Sequence, residues 1–363
     1  MNRAIRDDTT LDPKRLGLAL ETFDLGGTVQ SLEPFGSGHI NSTFRSKVQP
    51  EGPGPEAEFL HQRLNEEVFR DLEALMANVD LITQTLAASG TRGLELIRTR
   101  EGAAYARLEG AAWRTYRFER DTVSYNRCPG PEFAYQAAMG FGAYQASLTR
   151  LEPGSIRVTI RDFFDGRKRL EQFDAAFKAA NPERVRGLES ELSFAKEGSR
   201  FLLPIESAIR RGKLPPRIVH GDTKLNNLLF ESNGPRVRCV VDLDTTMSAF
   251  GPYDFGDLVR FTASTAAEDE TDLALVDADP LLLRALTDGW LESTRKFAAP
   301  AEHELLAEAA VLVTYLVGLR FLTDHLAGDV YFRVHRPDQN LHRARAQFQL
   351  ARRLEERLRD LAL

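Results

Sequence analysis

The chain has 363 residues, 42% of them hydrophobic and 28% charged, and a formal net charge of −6. That length exceeds what one hydrophobic core usually serves, so two domains are expected, at residues 1–120 and 121–363. The composition excludes a disordered or fibrous chain, and the lack of a basic domain argues against nucleic acid as a partner.

Cys128 and Cys239 supply neither a disulfide framework nor a metal-site spacing, which fits a reducing compartment. The opening MNRAIRDDTT has no apolar core of a signal peptide, and the apolar run at residues 309–319 stops at Arg320, short of a bilayer's thickness. The expectation is a cytoplasmic protein, monomer or homodimer, with no membrane partner.

In chain order, residues 28–48 predict two strands joined by a glycine-containing turn, and residues 49–58 a Pro/Gly/Glu loop. FLHQRLN is a short strand, and residues 66–89 show helical spacing from Val68 through Leu72, Leu75, Met76, Val79 and Ile82. LELIRTREGAAYARLEGAAWRTYRFER reads as three short strands. Beyond Arg120 the periodicity becomes helical: Pro131 to Leu148, a long charged helix at residues 183–212, and nearly everything from Pro280 onward, ending in an amphipathic and solvated ARRLEERLRDL segment. The expected fold class is α+β, with a small β-rich N-terminal lobe and a larger helical C-terminal lobe.

The chemistry concentrates in IVHGDTKLNNLLF, residues 218–230, where apolar flanks enclose a polar centre. His220, Asp222 and Asn227 make the pattern H-x-D-x-x-x-x-N, with Lys224 two residues after the aspartate. An apolar strand then delivers Asp242 in CVVD, and Asp244 two residues on would point the same way from an extended strand. Phosphoryl transfer needs such a set: a carboxylate for the attacking hydroxyl, an amide and a second carboxylate for Mg²⁺, and a cation for the moving phosphoryl group. Asp222 is the expected base, Lys224 the phosphate stabiliser, and Asn227, Asp242 and Asp244 the expected metal ligands. His220 is expected to brace the loop, as are Asp254 and Asp257 in GPYDFGD. Two other readings compete. A loop whose polar groups merely satisfy local backbone is one. The other is a phosphatase, since VVDLDTT also fits D-x-D-x-T, although no run of parallel strands follows as that fold requires.

These motifs resemble the aminoglycoside phosphotransferase and choline kinase superfamily, which shares a bilobal protein-kinase-like fold. GHIN (residues 38–41), FLHQRLNEEVF (59–69), HGDTKLNNLLF, VVDLDTTM, YDFGDLVRF (253–261) and RFLTDHLAGDVYF (320–332) together resemble the N-acetylhexosamine 1-kinases, which phosphorylate GlcNAc or GalNAc at the anomeric hydroxyl with ATP. The resemblance implies ATP and Mg²⁺ as cofactors and a sugar as the small-molecule partner. It places Gly36 and Gly38 in a nucleotide-covering turn, with His39 and Asn41 within reach of sugar or phosphate. Where the superfamily carries a strand lysine, this sequence offers Gln62 or Arg63, with Asp80 or Glu73 as acidic partner. Backbone near Tyr116 and Phe118 would meet adenine. Arg320 and Tyr331 would contact the acceptor, the alternative for Arg320 being a salt bridge to Asp324. Other acceptors (an aminoglycoside, choline, another sugar) and a catalytically silent nucleotide-binding regulator stay open.

Overall fold

A computed structural model describes residues 13–36 and 41–360, and within it the chain forms two compact units. The first comprises residues up to Thr122 together with residues 157–160. It opens with α1 (Pro13–Leu20), followed by β1 (Gly27–Pro34), β2 (Ser42–Pro50), β3 (Ala57–Arg63), α2 (Leu72–Ala88), β4 (Leu96–Ile97), β5 (Ala106–Leu108) and β6 (Ala111–Arg117). The strands make one antiparallel sheet in the order β1-β2-β3-β6-β4, with β5 paired to β6. Leu16, Leu20 and Phe23 close one core with Val48, Phe59, Ile97 and Trp113. The side chain of Asn78 on α2 bonds both the carbonyl and the amide of Arg157, which ties the 157–160 segment to this unit.

The helical spacing beginning at Val68 overstates α2. Asn65 turns its side-chain oxygen onto the amides of Glu67 and Val68, a local bond that competes with helix. Asp71 then caps the amide of Ala74, so the helix starts at Leu72 and leaves Val68 38% exposed.

The second unit holds α3 (Pro131–Leu148), α4 (Gly166–Ala179), α5 (Pro182–Val185), α6 (Glu189–Glu197), α7 (Leu202–Arg210), α8 (Gly251–Thr262), α9 (Pro280–Thr294), α10 (Pro300–Glu304), α11 (Leu306–Ala327) and α12 (Gln339–Asp360). A short strand, β7 (Thr122–Val123), lies where the units meet along the chain. Two small antiparallel ribbons sit among the helices: β8 (Arg217–Val219) with β11 (Met247–Ala249), and β9 (Leu228–Glu231) with β10 (Val237–Val240). α11 packs on α12, α8 and α4, and α3 packs on α9. By length and composition α11 could cross a membrane, but 67% of its apolar window is buried inside the protein. α12 is amphipathic as expected, yet its apolar side is covered: Ala344, Phe348, Ala351 and Leu354 are buried.

The single charged helix expected at residues 183–212 is instead three helices. Gly187 (φ +74°) breaks the chain after α5, and a tight 3₁₀ turn from Gly198 to Phe201 separates α6 from α7. A Cβ at Gly198 would lie 2.2 Å from a ring carbon of the buried Tyr315, so only glycine lets the turn pass this close. Gly198→Ala is expected to destabilise the protein by about 1–3 kcal/mol through forced repacking, read as a lower midpoint in urea unfolding.

Candidate active site

The polar island of residues 218–230 is built by the two ribbons and held from three sides. β8 ends at Val219, the 3₁₀ turn at Leu225–Asn227 follows, and β9 begins at Leu228. Val240 pairs with Leu228, and the Val241 amide donates to the Asn227 carbonyl, so Asn227 and Asp242 emerge at the same end of the β9–β10 hairpin. The His220 ring is fully buried, bonded through Nε2 to the Val241 carbonyl and accepting at Nδ1 from the Asp222 amide. Phe141 and Tyr144 of α3 meet it edge-on, with centroids at 5.4 and 5.6 Å. That is the bracing role expected of it.

Asp254, in the first turn of α8, supplies the other clamp. Its Oδ2 accepts from the His220 amide and from Gln145 Nε2, and its Oδ1 from the Gly221 amide, all at 2.8 Å; its carbonyl accepts from Thr223 Oγ1 at 2.6 Å. A carboxylate there also suits the positive end of the helix dipole. Gly221 has φ +81°, and a Cβ on it would meet the Thr245 carbonyl at 2.7 Å and Phe164 at 2.9 Å. The turn that presents Asp222 therefore requires glycine.

Asp222 itself is a quarter exposed, with Lys224 Nζ 2.9 Å from Oδ1. Asn227 Nδ2 donates to Asp222 Oδ2 at 3.0 Å and to its carbonyl at 2.8 Å. Burial alone would raise the Asp222 carboxyl. The charge and hydrogen bond of Lys224, aided by His220 and Arg260, outweigh it and hold the group below the ordinary carboxylate value. Burial works against the Lys224 charge as well, but Asp222 raises its affinity for the proton. Behind them lies a buried arginine that the motif reading missed: Arg260 on α8, bonded to Asp257 at 2.9 Å and Glu268 at 2.9 Å.

Asp244 does not follow from strand alternation as expected. β10 stops at Val240, Asp242 takes a left-handed conformation (φ +60°), and residues Leu243–Thr245 curl into a 3₁₀ turn. Asp242 is exposed while Asp244 is 2% exposed, so the two carboxylates do not share a face of an extended strand.

In the first unit, Gly36 sits in a turn at φ +77°, and Asn41 accepts from the Asn65 amide at 3.0 Å; Gly38 and His39 lie outside the described residues. Gln62 and Arg63 are both half-buried. Gln62 Oε1 accepts from Nε of Arg114, its cross-strand partner on β6, which is 1% exposed. Arg114 is thus the buried cation beside Gln62. The quoted WRTYRFER contained it, but strand alternation alone assigned it no partner. Asp80 pairs with Arg98 at 2.6 Å, away from Gln62 and Arg63 as partners. Tyr116 is buried in the sheet, and the Phe118 ring stacks on the Arg45 guanidinium at 4.2 Å. The Arg117 and Phe118 amides donate to the carbonyls of Glu95 and Glu58 and are therefore already engaged within the sheet.

Arg320, on α11, does not bridge to Asp324. Asp324 instead accepts from the amides of Val330, Tyr331 and Phe332 and from Asn340 Nδ2. The Arg320 guanidinium lies among the rings of Phe163, Tyr331 and Phe332, at 5.5, 5.8 and 5.3 Å; Tyr331 is itself 64% exposed.

A similar architecture recurs in solved structures. An aminoglycoside phosphotransferase from Alicyclobacillus acidocaldarius superposes with a TM-score of 0.62 at 14% identity, covering 99% of this chain and 98% of that one. A microcompartment-associated aminopropanol kinase gives 0.61 at 16%, covering 95% and 97%. A spectinomycin phosphotransferase in complex with ADP and spectinomycin gives 0.53 at 12%, covering 94% and 100%. The α+β, kinase-like fold class expected from the motifs is the one these likenesses display. The profile of the phosphotransferase enzyme family matches residues 31–290, more than half of the sequence, and on that extent the chain belongs to the APH phosphotransferase family.

Proposed function

We propose that this phosphotransferase moves the γ-phosphoryl group of ATP to a hydroxyl of a small molecule, and that the acceptor is the anomeric hydroxyl of an N-acetylhexosamine. The observation that carries the reading is the Asp222 carboxylate held between Lys224 Nζ and Asn227 Nδ2, at the end of the hairpin that delivers Asp242. Asp222 orients the acceptor hydroxyl and takes its proton. The acceptor oxygen bonds to the γ-phosphorus as the bond to the ADP oxygen breaks, and Lys224 offsets charge on the moving group.

Mg²⁺ fits the donor set. The Asn227 amide nitrogen is spent on Asp222, leaving its Oδ1 as an oxygen donor, and Asp242 is an exposed carboxylate at the same hairpin end. Among the described residues no group of three or more His, Cys, Asp or Glu could hold a metal. Two hard oxygen donors are what Mg²⁺ commonly takes from protein, with phosphate and water completing the shell. When bound, the ion neutralises charge on the phosphates.

The sugar assignment rests on the segments quoted above that resemble the N-acetylhexosamine 1-kinases. ATP as donor draws support from the ADP named with the spectinomycin enzyme. ADP release with Mg-ATP across a panel of GlcNAc, GalNAc, an aminoglycoside and choline tests the reading: transfer to the N-acetylhexosamines supports it, and turnover of choline or the aminoglycoside alone replaces the acceptor. The missing strand lysine, where the chain offers Gln62 or Arg63, favours a silent regulator as second reading, and ADP binding with no turnover on any acceptor would establish that one.

The low proton affinity of Asp222 sets a pH profile. A base with a depressed pKa stays ionised below its ordinary value of about 3.9, so kcat/KM shows no Asp222 limb between pH 5 and 8. The same shift stabilises the fold above that ordinary value, and the contribution is lost as pH falls through the folded-state pKa. Lys224→Met removes the opposing charge and leaves burial, so the acid limb should move to higher pH. An unmoved limb would separate Lys224 from the tuning of Asp222.

A further inference from the structure

Two arginines converge on Phe163, beside the catalytic loop, with no ion pair among the described residues. Arg169, in the first turns of α4, donates through Nη2 to the Phe163 carbonyl at 3.3 Å, while the Arg320 guanidinium lies 5.5 Å from the Phe163 ring centre. The same ring borders the catalytic turn: a Cβ on Gly221 would stand 3.5 Å from Phe163 Cε1. Among the described residues neither arginine forms an ion pair. Arg169 has only Gln172 as side-chain partner, and its Nε is buried with no acceptor.

The acids nearest Arg169 act on it at a distance, without an ion pair among the described residues. Asp165 caps the Lys168 amide, and Asp162 is an exposed residue at φ +56°. Burial and then the Arg320 charge push the Arg169 guanidinium down to about 10, outweighing the opposing pull of Tyr331, Asp162 and Asp165. The cavity of about 210 Å³ beyond Phe164 offers no such opportunity, because its charged groups, Arg167 and Glu206, already pair with each other through two bonds of 2.6 Å.

We infer that Arg169 and Arg320 form an oxyanion site, and that the preferred acceptor carries a carboxylate or phosphate in addition to the hydroxyl it presents to Asp222. The two planar guanidinium groups supply the forked donors such anions take, and Phe163, Tyr331 and Phe332 wall the site in apolar surface that strengthens the attraction. The inference rests on the kinase reading for the identity of the ligand as acceptor, and narrows an N-acetylhexosamine to an acidic derivative of one.

The test compares GlcNAc, GlcNAc 6-phosphate and an N-acetylhexosaminuronic acid on the full-length protein, by kcat/KM and by calorimetric binding. Both acidic sugars should exceed GlcNAc by about tenfold or more, the effect of one well-placed charged contact. Arg169→Gln should remove that preference through KM, and sulfate at constant ionic strength should weaken the acidic sugars selectively in the wild-type protein. A preference for the phosphate sugar alone, or the uronic acid alone, supports the site and identifies which oxyanion it takes. Equal binding of neutral and acidic sugars, or a preference that survives both Arg169→Gln and sulfate, overturns the inference. Turnover confined to GlcNAc would sink it while leaving the kinase reading intact. Absence of turnover on all three would sink the sugar acceptor while leaving phosphoryl transfer to another hydroxyl in place, and the calorimetric comparison would still decide the anion site.

Discussion

Replacing Asp222 with asparagine is expected to cut kcat by about 10²–10⁴-fold, the range over which a positioned general base contributes. The exchange keeps size and shape, so the Lys224 contact weakens while the surrounding turn persists. That turn is secured by backbone bonds to Asp254 and by the His220 ring, not by the Asp222 side chain. The folded protein should therefore still bind nucleotide with near wild-type affinity. Rates of ADP release and calorimetric titration with ADP, run on the same preparation, separate the two properties. Wild-type turnover in Asp222→Asn would take the proton-accepting role away from this residue.

The second large effect is on stability. Asp254→Ala strips acceptors from the buried His220 amide and the half-buried Gly221 amide, and leaves the buried Gln145 Nε2 only the Gly251 carbonyl at 3.4 Å. Each orphaned buried donor costs about 1–3 kcal/mol, so a total loss of about 3–5 kcal/mol is expected, a large share of the stability of an ordinary domain. Urea unfolding followed by far-UV circular dichroism reads it. Asp254→Asn should cost less, since one oxygen still accepts, although its NH₂ then confronts an amide donor. If both variants unfold at the wild-type midpoint, the loop is held by something other than this carboxylate.

How much of this was legible in the residues depends on whether the signal was local. The bounds of α3 agree with the helical pattern at Pro131 to Leu148 because Pro131 starts that helix and its buried face repeats without interruption. The β-rich opening and the polar island were equally readable, one from its turns and the other from a spacing that only a few chemistries require. The failures involve competition between local and distant forces. Asn65 and Asp71 bond backbone amides and delay α2, where hydrophobic spacing alone started it early. The helix expected at residues 183–212 breaks where Gly198 meets Tyr315, a residue more than a hundred positions away.

The same contrast runs through the site. Asp222, Lys224 and Asn227 lie within six consecutive residues, so their proximity follows from one short loop. Asp244 was misplaced because the left-handed turn at Asp242 ends the strand without any glycine or proline to announce it. Arg114, Arg169 and Arg260 were passed over because arginine in a half-polar segment usually means solvent. The significance of Arg114 and Arg260 comes from burial, and that of Arg169 from partial burial beside Phe163; such burial is decided by strands and helices far away in sequence.

The central claim is that the carboxylate of Asp222 directs a phosphoryl group from ATP onto a hydroxyl. Single-turnover ³¹P NMR of the protein with Mg-ATP and an N-acetylhexosamine addresses it most directly. A new phosphomonoester resonance coupled to the anomeric proton, growing with ADP and absent in Asp222→Asn, is the predicted result. Conversion of ATP to ADP and free phosphate with the sugar unchanged, or the same phosphomonoester formed equally fast by Asp222→Asn, would contradict it.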